Sequence, residues 1–281
     1  MVVAIFVEMT ILFFMVVWTV KRSATCFIIT VCSSVAFSNC DSRHPWLVAN
    51  TKFYRRKKML QKILEIMFSH GRWMMILQGL GTTLLIALCA VLMGTILGCI
   101  FAIFKLSNSK ILNAISNVYT TLIRGIPMAT QLMICYFVIF SPLGVRNTVL
   151  VAIISFGVNS GAYCTEIFRA GINGVDKGQM EAGRSLGLNW AQTMFAIIIP
   201  QAFKTILPTF ASEFITLIKE TSVASFIAVV DLQKACDNIR NATYNAWVPL
   251  LSCALVYLIL TVGLTKIFSA IETKVAKSEK K

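Results

Sequence analysis

The chain has 281 residues, 57% of them hydrophobic and only 14% charged, with a formal net charge of +14. That balance excludes an ordinary soluble domain, and the run from Met74 to Phe104, which carries no charge, is long enough to cross a bilayer. Only helices and closed barrels satisfy the backbone in lipid, and ten-residue alternation is absent, so the expected class is an all-α polytopic membrane protein. In so apolar a chain the positive charge is read through membrane topology, with no nucleic-acid partner expected.

The first 58 residues fit a regular topology poorly. Val2 to Val20 is just long enough to span, but Ala24 to Phe37 is short and rich in Ser, Thr and Cys, and Arg55-Arg56-Lys57-Lys58 follows. Residues 1–58 are therefore expected to be an N-terminal extension, either an additional membrane anchor or a misassigned start. In the second case the protein begins near Met59, and no small-residue site marks a cleaved signal. Residues 59–72 are expected to lead in as a short amphipathic surface segment, and residues 73–272 to form the membrane domain.

Five core spans follow in order. The first lies within Met74 to Phe104 and the second within Ile111 to Phe140, ahead of the turn Ser141-Pro142-Leu143-Gly144. The third runs from about Asn147 to Ile172, the fourth from about Leu207 to Val230 and the fifth from about Trp247 to Ala270. Between the third and fourth, Trp190 to Ile206 is apolar but followed by Pro208 and interrupted by Pro200. It is expected to be an interfacial helix completing the loop rather than a separate span. Residues 273–281 form a basic tail. Gly94 and Gly98 make a G-x-x-x-G, whose simplest use is close helix packing.

Charge orients these spans. If the loop around Glu181 and the C-terminus are cytoplasmic, the inner side carries eleven cations: Lys105, Lys110, Arg169, Lys177, Arg184, Lys204, Lys266, Lys274, Lys277, Lys280 and Lys281. The outer side carries four: Arg72, Arg146, Lys234 and Arg240. The excess has the direction of the positive-inside rule.

The segment Glu181-Ala182-Gly183-Arg184-Ser185-Leu186-Gly187, followed by Ile197-Ile198-Ile199-Pro200, reads E-A-G-x3-G-x9-I-x-I-P. It resembles the E-A-A-x3-G-x9-I-x-L-P loop of the membrane subunits of bacterial ATP-binding-cassette (ABC) importers, with Gly183 for Ala and Ile199 for Leu. Four further stretches stand in the order found in the polar amino-acid permeases of the histidine, glutamine, glutamate and arginine type. Arg124-Gly125-Ile126-Pro127 with Gln131 resembles their R-G-x-P-x-x-x-Q. Gly161-Ala162-Tyr163-Cys164-Thr165-Glu166-Ile167-Phe168-Arg169 resembles G-A-Y-x-x-E-I-x-R. Lys177-Gly178-Gln179 precedes the loop, and Lys219-Glu220-Thr221-Ser222-Val223 resembles K-D-T-S-L.

The resemblance implies a type I importer permease with five core transmembrane helices and a cytoplasmic coupling loop in a bacterial inner membrane. It implies that the loop is two short helices at a right angle, seated in a partner ATPase, with Gly178, Gln179, Glu181, Ala182, Gly183 and Gly187 as coupling residues. The implied partners are an ABC ATPase dimer that binds ATP and Mg, a second permease subunit, identical or related, an extracytoplasmic substrate-binding protein and an amino-acid substrate.

The charged residues also carry readings of their own. Lys219 and Glu220 fall near the middle of the expected fourth span, where charge is costly. Adjacent residues do not face each other on a helix, so the two are either substrate contacts or part of an ion-pair lock between helices. Thr221 and Ser222 can serve the substrate or the backbone, and Glu213, two turns away, can face the pathway or a neighbouring helix. Arg124 marks a helix irregularity beside the pathway or snorkels to the interface. Glu166 and Arg169, three apart, are expected to form a structural ion pair.

Enzyme chemistry finds no support. Gly178 to Ser185 mimics a nucleotide-binding G-x4-G-K-S, but Arg184 stands where Lys is required and no strand precedes it. The two histidines, His44 and His70, lie outside the core, and the nine cysteines show no C-x-x-C or metal spacing. The competing reading is a secondary transporter or channel, which leaves the loop spacing unexplained and for which no inverted repeat is evident. An importer for another small solute is the milder alternative.

Overall fold

The computed structural model describes Ile66 and residues 69–277, all within the compact unit Ile63–Lys281. The expectations for residues 1–58 and for the segment from Met59 to Phe68 fall, Ile66 apart, outside the described residues. After a short 3-10 turn at Ser69–Gly71, the helices are α1 (Arg72–Leu106), α2 (Lys110–Gly125), α3 (Met128–Met133), α4 (Thr148–Asn173), α5 (Lys177–Ser185), α6 (Trp190–Thr193), α7 (Ile199–Glu220), α8 (Leu232–Thr243) and α9 (Trp247–Lys277). Wider π-type turns extend α3 through Ile134–Phe140 and join α6 to α7 through Met194–Ile198. A 3-10 turn, Thr221–Ile227, prolongs α7.

Among the described residues, four stretches are long and apolar enough to cross a membrane: Arg72–Leu106, Thr148–Asn173, Trp190–Ile227 and Trp247–Val275. A fifth is built from a bent pair, Lys110–Gly125 and Met128–Phe140, at 104°. The bend has a local cause. Pro127 pushes the residue before it out of the helical region, and Ile126 is extended (φ −104°, ψ 132°).

The fourth span corrects the sequence reading. Trp190 to Ile206 is not a separate interfacial element; it is the first half of one helical stretch that runs from Trp190 to Ile227. Pro200 falls at the first turn of α7, directly after the wider π-type turn Met194–Ile198, and Pro208 is accommodated inside α7. Lys219 and Glu220 therefore lie at the far end of a long helix, about two turns from Ile227, rather than at its middle.

Association between helices in lipid depends on close packing, because the surrounding tails are as apolar as the side chains. α1 and α4 form the central pair, and small residues bring them together. A Cβ built on Gly94 would lie 2.7 Å from the Ser160 hydroxyl, and one on Gly98 would lie 2.4 Å from the Cys164 Cβ. Gly157 and Gly161 return the contact against Met93 and Leu97. Around this seam Ile86, Ala90, Val91, Leu132, Phe156 and Leu217 form the main buried cluster. The helix α8 was not anticipated, although its buried residues Leu232, Ala235, Cys236 and Ile239 repeat at helical spacing.

Candidate functional site

The polar loop between the third and fourth spans is a compact two-helix unit. Asp176 caps α5, its Oδ1 accepting the Gly178 N–H at 2.8 Å. α5 ends when Gly187 enters the left-handed region (φ +85°), and the Leu188 N–H returns to the Gly183 carbonyl at 3.2 Å. Asn189 then starts α6 through a capping box: it accepts the Gln192 N–H at 2.8 Å, and the Gln192 side chain accepts the Asn189 N–H at 2.8 Å. Gln201 on α7 donates to Gln179 on α5 at 3.2 Å, tying the loop to the fourth span.

The coupling residues expected from sequence divide by exposure. Gly178, Gln179, Glu181, Ala182 and Gly187 are exposed, whereas Gly183 is buried. A Cβ on Gly183 would come within 2.5 Å of the Thr193 Cγ2, which gives a physical reason for Gly where the resembling pattern has Ala. Gly183→Ala alone is expected to destabilise the loop, and Thr193→Ala to restore it. The check is a double-mutant cycle on thermal stability, with a coupling of about 0.5–3 kcal/mol for residues in contact. Simple additivity would remove this explanation. Leu186 and Trp190 project from the loop, 81% and 55% exposed, so its tip carries apolar anchors beside Glu181 and Arg184.

A second constellation lies along the membrane spans. The Arg124 guanidinium, at the end of α2, sits over the Tyr163 ring of α4 at 5.0 Å from its centroid. Glu213 on α7 lies within electrostatic reach of both Arg124 and Glu220. Glu220 is half-buried and Lys219 exposed. α3, which begins the second half of the bent span, packs on the 3-10 turn that carries Thr221 and Ser222. Fold topology thus brings together three segments far apart in sequence. The Thr221 hydroxyl is buried and donates to the Ile218 carbonyl at 2.7 Å, so of its two uses it serves the backbone.

Glu166 and Arg169 meet at 2.9 Å on α4, and Lys105 of α1 pairs with the other Glu166 oxygen while also reaching Thr120 at 3.3 Å. Glu166 is thus shared by cations from two helices and ties α1 to α4.

Two features escaped the sequence reading. Tyr163 was seen only as part of a motif, yet it is the platform for Arg124. More telling is the face of the fourth span on which Gln201, Thr205, Thr209, Ser212, Thr216 and Lys219 are all exposed. Their spacing of three and four places them in one line along the helix. The sequence signal was present and was lost when the span was divided at Leu207.

These features agree with what the chain is similar to. Residues 90–277 match the family described as the binding-protein-dependent transport system inner membrane component. The chain belongs to that family. It is 38% identical over 205 residues to the arginine transport system permease protein ArtQ of Bacillus subtilis, covering 73% of this chain and 94% of that one. It is 39% identical over 204 residues to the putative glutamine transport system permease protein GlnP of Rickettsia bellii, covering 72% and 94%. Among solved structures, an amino acid ABC transporter crystallised with histidines superposes with a TM-score of 0.68 at 36% identity, over 71% of this chain and 94% of that one. The MetNI methionine transporter in an inward-facing state shares the fold, with a TM-score of 0.66 at 17% identity over 74% and 99%.

Proposed function

We propose that this chain is the membrane-spanning permease subunit of an ATP-driven importer for polar amino acids. It takes substrate from an extracytoplasmic binding protein and passes it to the cytoplasm by alternating access. The observation that carries this reading is the helical stretch from Trp190 to Ile227. The two-helix loop stands at one end, Lys219 and Glu220 lie near the other, and an exposed polar line joins them. A polar line facing lipid would be costly, and along a water-filled pathway it is well placed.

Two ATPase subunits dock on the exposed loops of this subunit and a second permease, identical or related. Their closure on ATP moves each loop with the helical stretch rooted in it, and the movement reaches the charged group along that stretch. An amino-acid zwitterion complements that group, its carboxylate meeting Arg124 or Lys219 and its ammonium meeting Glu220 or Glu213. ATP and Mg belong to the partner ATPase, and the loop and C-terminus are cytoplasmic.

The test is uptake into proteoliposomes holding the permease, its ATPase and its binding protein. Labelled arginine, glutamine, glutamate, histidine and cystine should enter or compete only when ATP is supplied on the ATPase side. Uptake driven by an ion gradient without ATP would replace this reading by a secondary transporter.

A further inference from the structure

The connection between the fourth span and α8 holds a group that the transport reading leaves unused. Asp231 is fully buried. Its Oδ1 caps α8, accepting the Lys234 N–H at 2.9 Å, but its Oδ2 is buried without a hydrogen-bond partner. α1 presses directly on this point. The Leu232 N–H donates to the Thr83 hydroxyl at 3.1 Å, and a Cβ on Gly79 would lie 2.6 Å from the Asp231 carbonyl oxygen. The Tyr257 hydroxyl of α9 is also buried and unpartnered, and it faces the Thr83 and Thr221 hydroxyls.

A carboxylate with one satisfied and one orphaned oxygen, closed off from water by four elements, is costly when ionised and inexpensive when protonated. We propose that Asp231 is a proton-binding site whose occupancy locks α8 onto α1 and α9.

The groups facing it permit this. From α8 come Asp237, ion-paired with Arg240 at 3.0 Å, and Cys236, a thiol kept neutral by its hydrogen bond with Cys253 and then by burial. From α9 come Cys253 and Tyr257. From α1 comes the Thr83 hydroxyl, which accepts the Leu232 N–H and faces Tyr257 together with the Thr221 hydroxyl of the 3-10 turn. The one facing charge that acts on the carboxyl, Asp237, also disfavours its ionisation.

Burial first, and Asp237 in addition, push the Asp231 carboxyl up from 3.8 to about 6, against the lowering effect of the backbone N–H bonds. Docked α8 thus holds a proton that undocked α8 releases above about pH 4. Docking is strongest in acid, weakens as pH rises towards about 6 and then levels off. Between about pH 5.5 and pH 7.5 the opening equilibrium of α8 should rise about fourfold.

The experiment is hydrogen exchange of the α8 amides in the full chain, held in lipid nanodiscs and corrected for the intrinsic pH dependence of exchange. Wild type should show the fourfold change. Asp231→Asn keeps the cap and imitates the neutral acid, so its exchange should stay slow and flat with pH. Asp237→Asn should keep the slope. A flat wild type overturns the proposal, as does an Asp231→Asn variant with the wild-type slope. A slope abolished only by Asp237→Asn overturns it too. The wild-type series alone decides the matter if a variant fails to assemble.

Discussion

Glu181→Lys and Gly187→Phe are each expected to leave the permease in the membrane at normal yield while cutting ATP-driven uptake at least about tenfold. The two act differently. Glu181 is exposed on α5, so reversing its charge removes nothing from the packing of the spans and alters only the surface offered to a partner. Gly187 has open space around it but a φ of +85°. A Cβ there meets nothing within 4 Å, yet a Phe costs about 1–2 kcal/mol in backbone strain and turns the two loop helices away from their present angle. A small docking surface concentrates its energy in a few residues worth about 2 kcal/mol or more each, so either change suffices to weaken ATPase attachment. Co-purification of the ATPase with each variant, beside uptake and membrane yield, checks this. Wild-type co-purification together with wild-type uptake would falsify the assignment of this loop as the coupling surface.

The loop was legible because its chemistry is local. The motif spacing fixes Gly187 and Pro200 along the chain, and the positive φ of Gly187 and the capping box of Asn189 and Gln192, which the structure adds, are likewise made by neighbouring residues. What pairs with what across helices was not. Glu166 and Arg169 stand three apart and their pairing could be expected, whereas Lys105 lies on another helix and enters only through the close α1–α4 seam. The sequence reads Arg124 as a mark of helix irregularity beside the pathway or as a snorkelling side chain, but nothing in it places the guanidinium over Tyr163.

The division at Leu207 followed from giving Pro200 and Pro208 the cost they carry in water. In a membrane helix packed by neighbours that cost is smaller, and the helix runs through. A span beginning at Leu207 breaks the polar line from Gln201 to Lys219 and puts Lys219 and Glu220 at mid-span, whereas the continuous helix keeps the line whole and carries the two charges towards its far end. α8 was missed for another reason. Its periodic stripe of Leu232, Ala235, Cys236 and Ile239 is short and amphipathic, and falls below notice beside runs that are apolar all round.

Glu220→Gln is expected to assemble normally and to lose uptake by about tenfold or more. The substitution preserves length and hydrogen-bonding capacity and removes only the negative charge. Where a carboxylate meets an ammonium, the charge-assisted bond is worth about 1.5–3 kcal/mol, which sets the size of the loss. Glu220 is half-buried with Lys219, its neighbour in sequence, exposed and acting on it electrostatically, and Glu213 brings a second carboxylate within electrostatic reach. Glu220→Asp restores the acid found in the resembling motif and should keep transport, with any change confined to preference among substrates. The measurement is uptake per assembled complex, since a lock between helices predicts the opposite pattern. Glu220→Gln would then express poorly or fall apart on heating, while the surviving molecules transported at the normal rate. Normal turnover in well-assembled Glu220→Gln would shift the ammonium site to Glu213, whose position beside Arg124 supplies both charges a zwitterion requires. Glu213→Gln would then carry the loss instead.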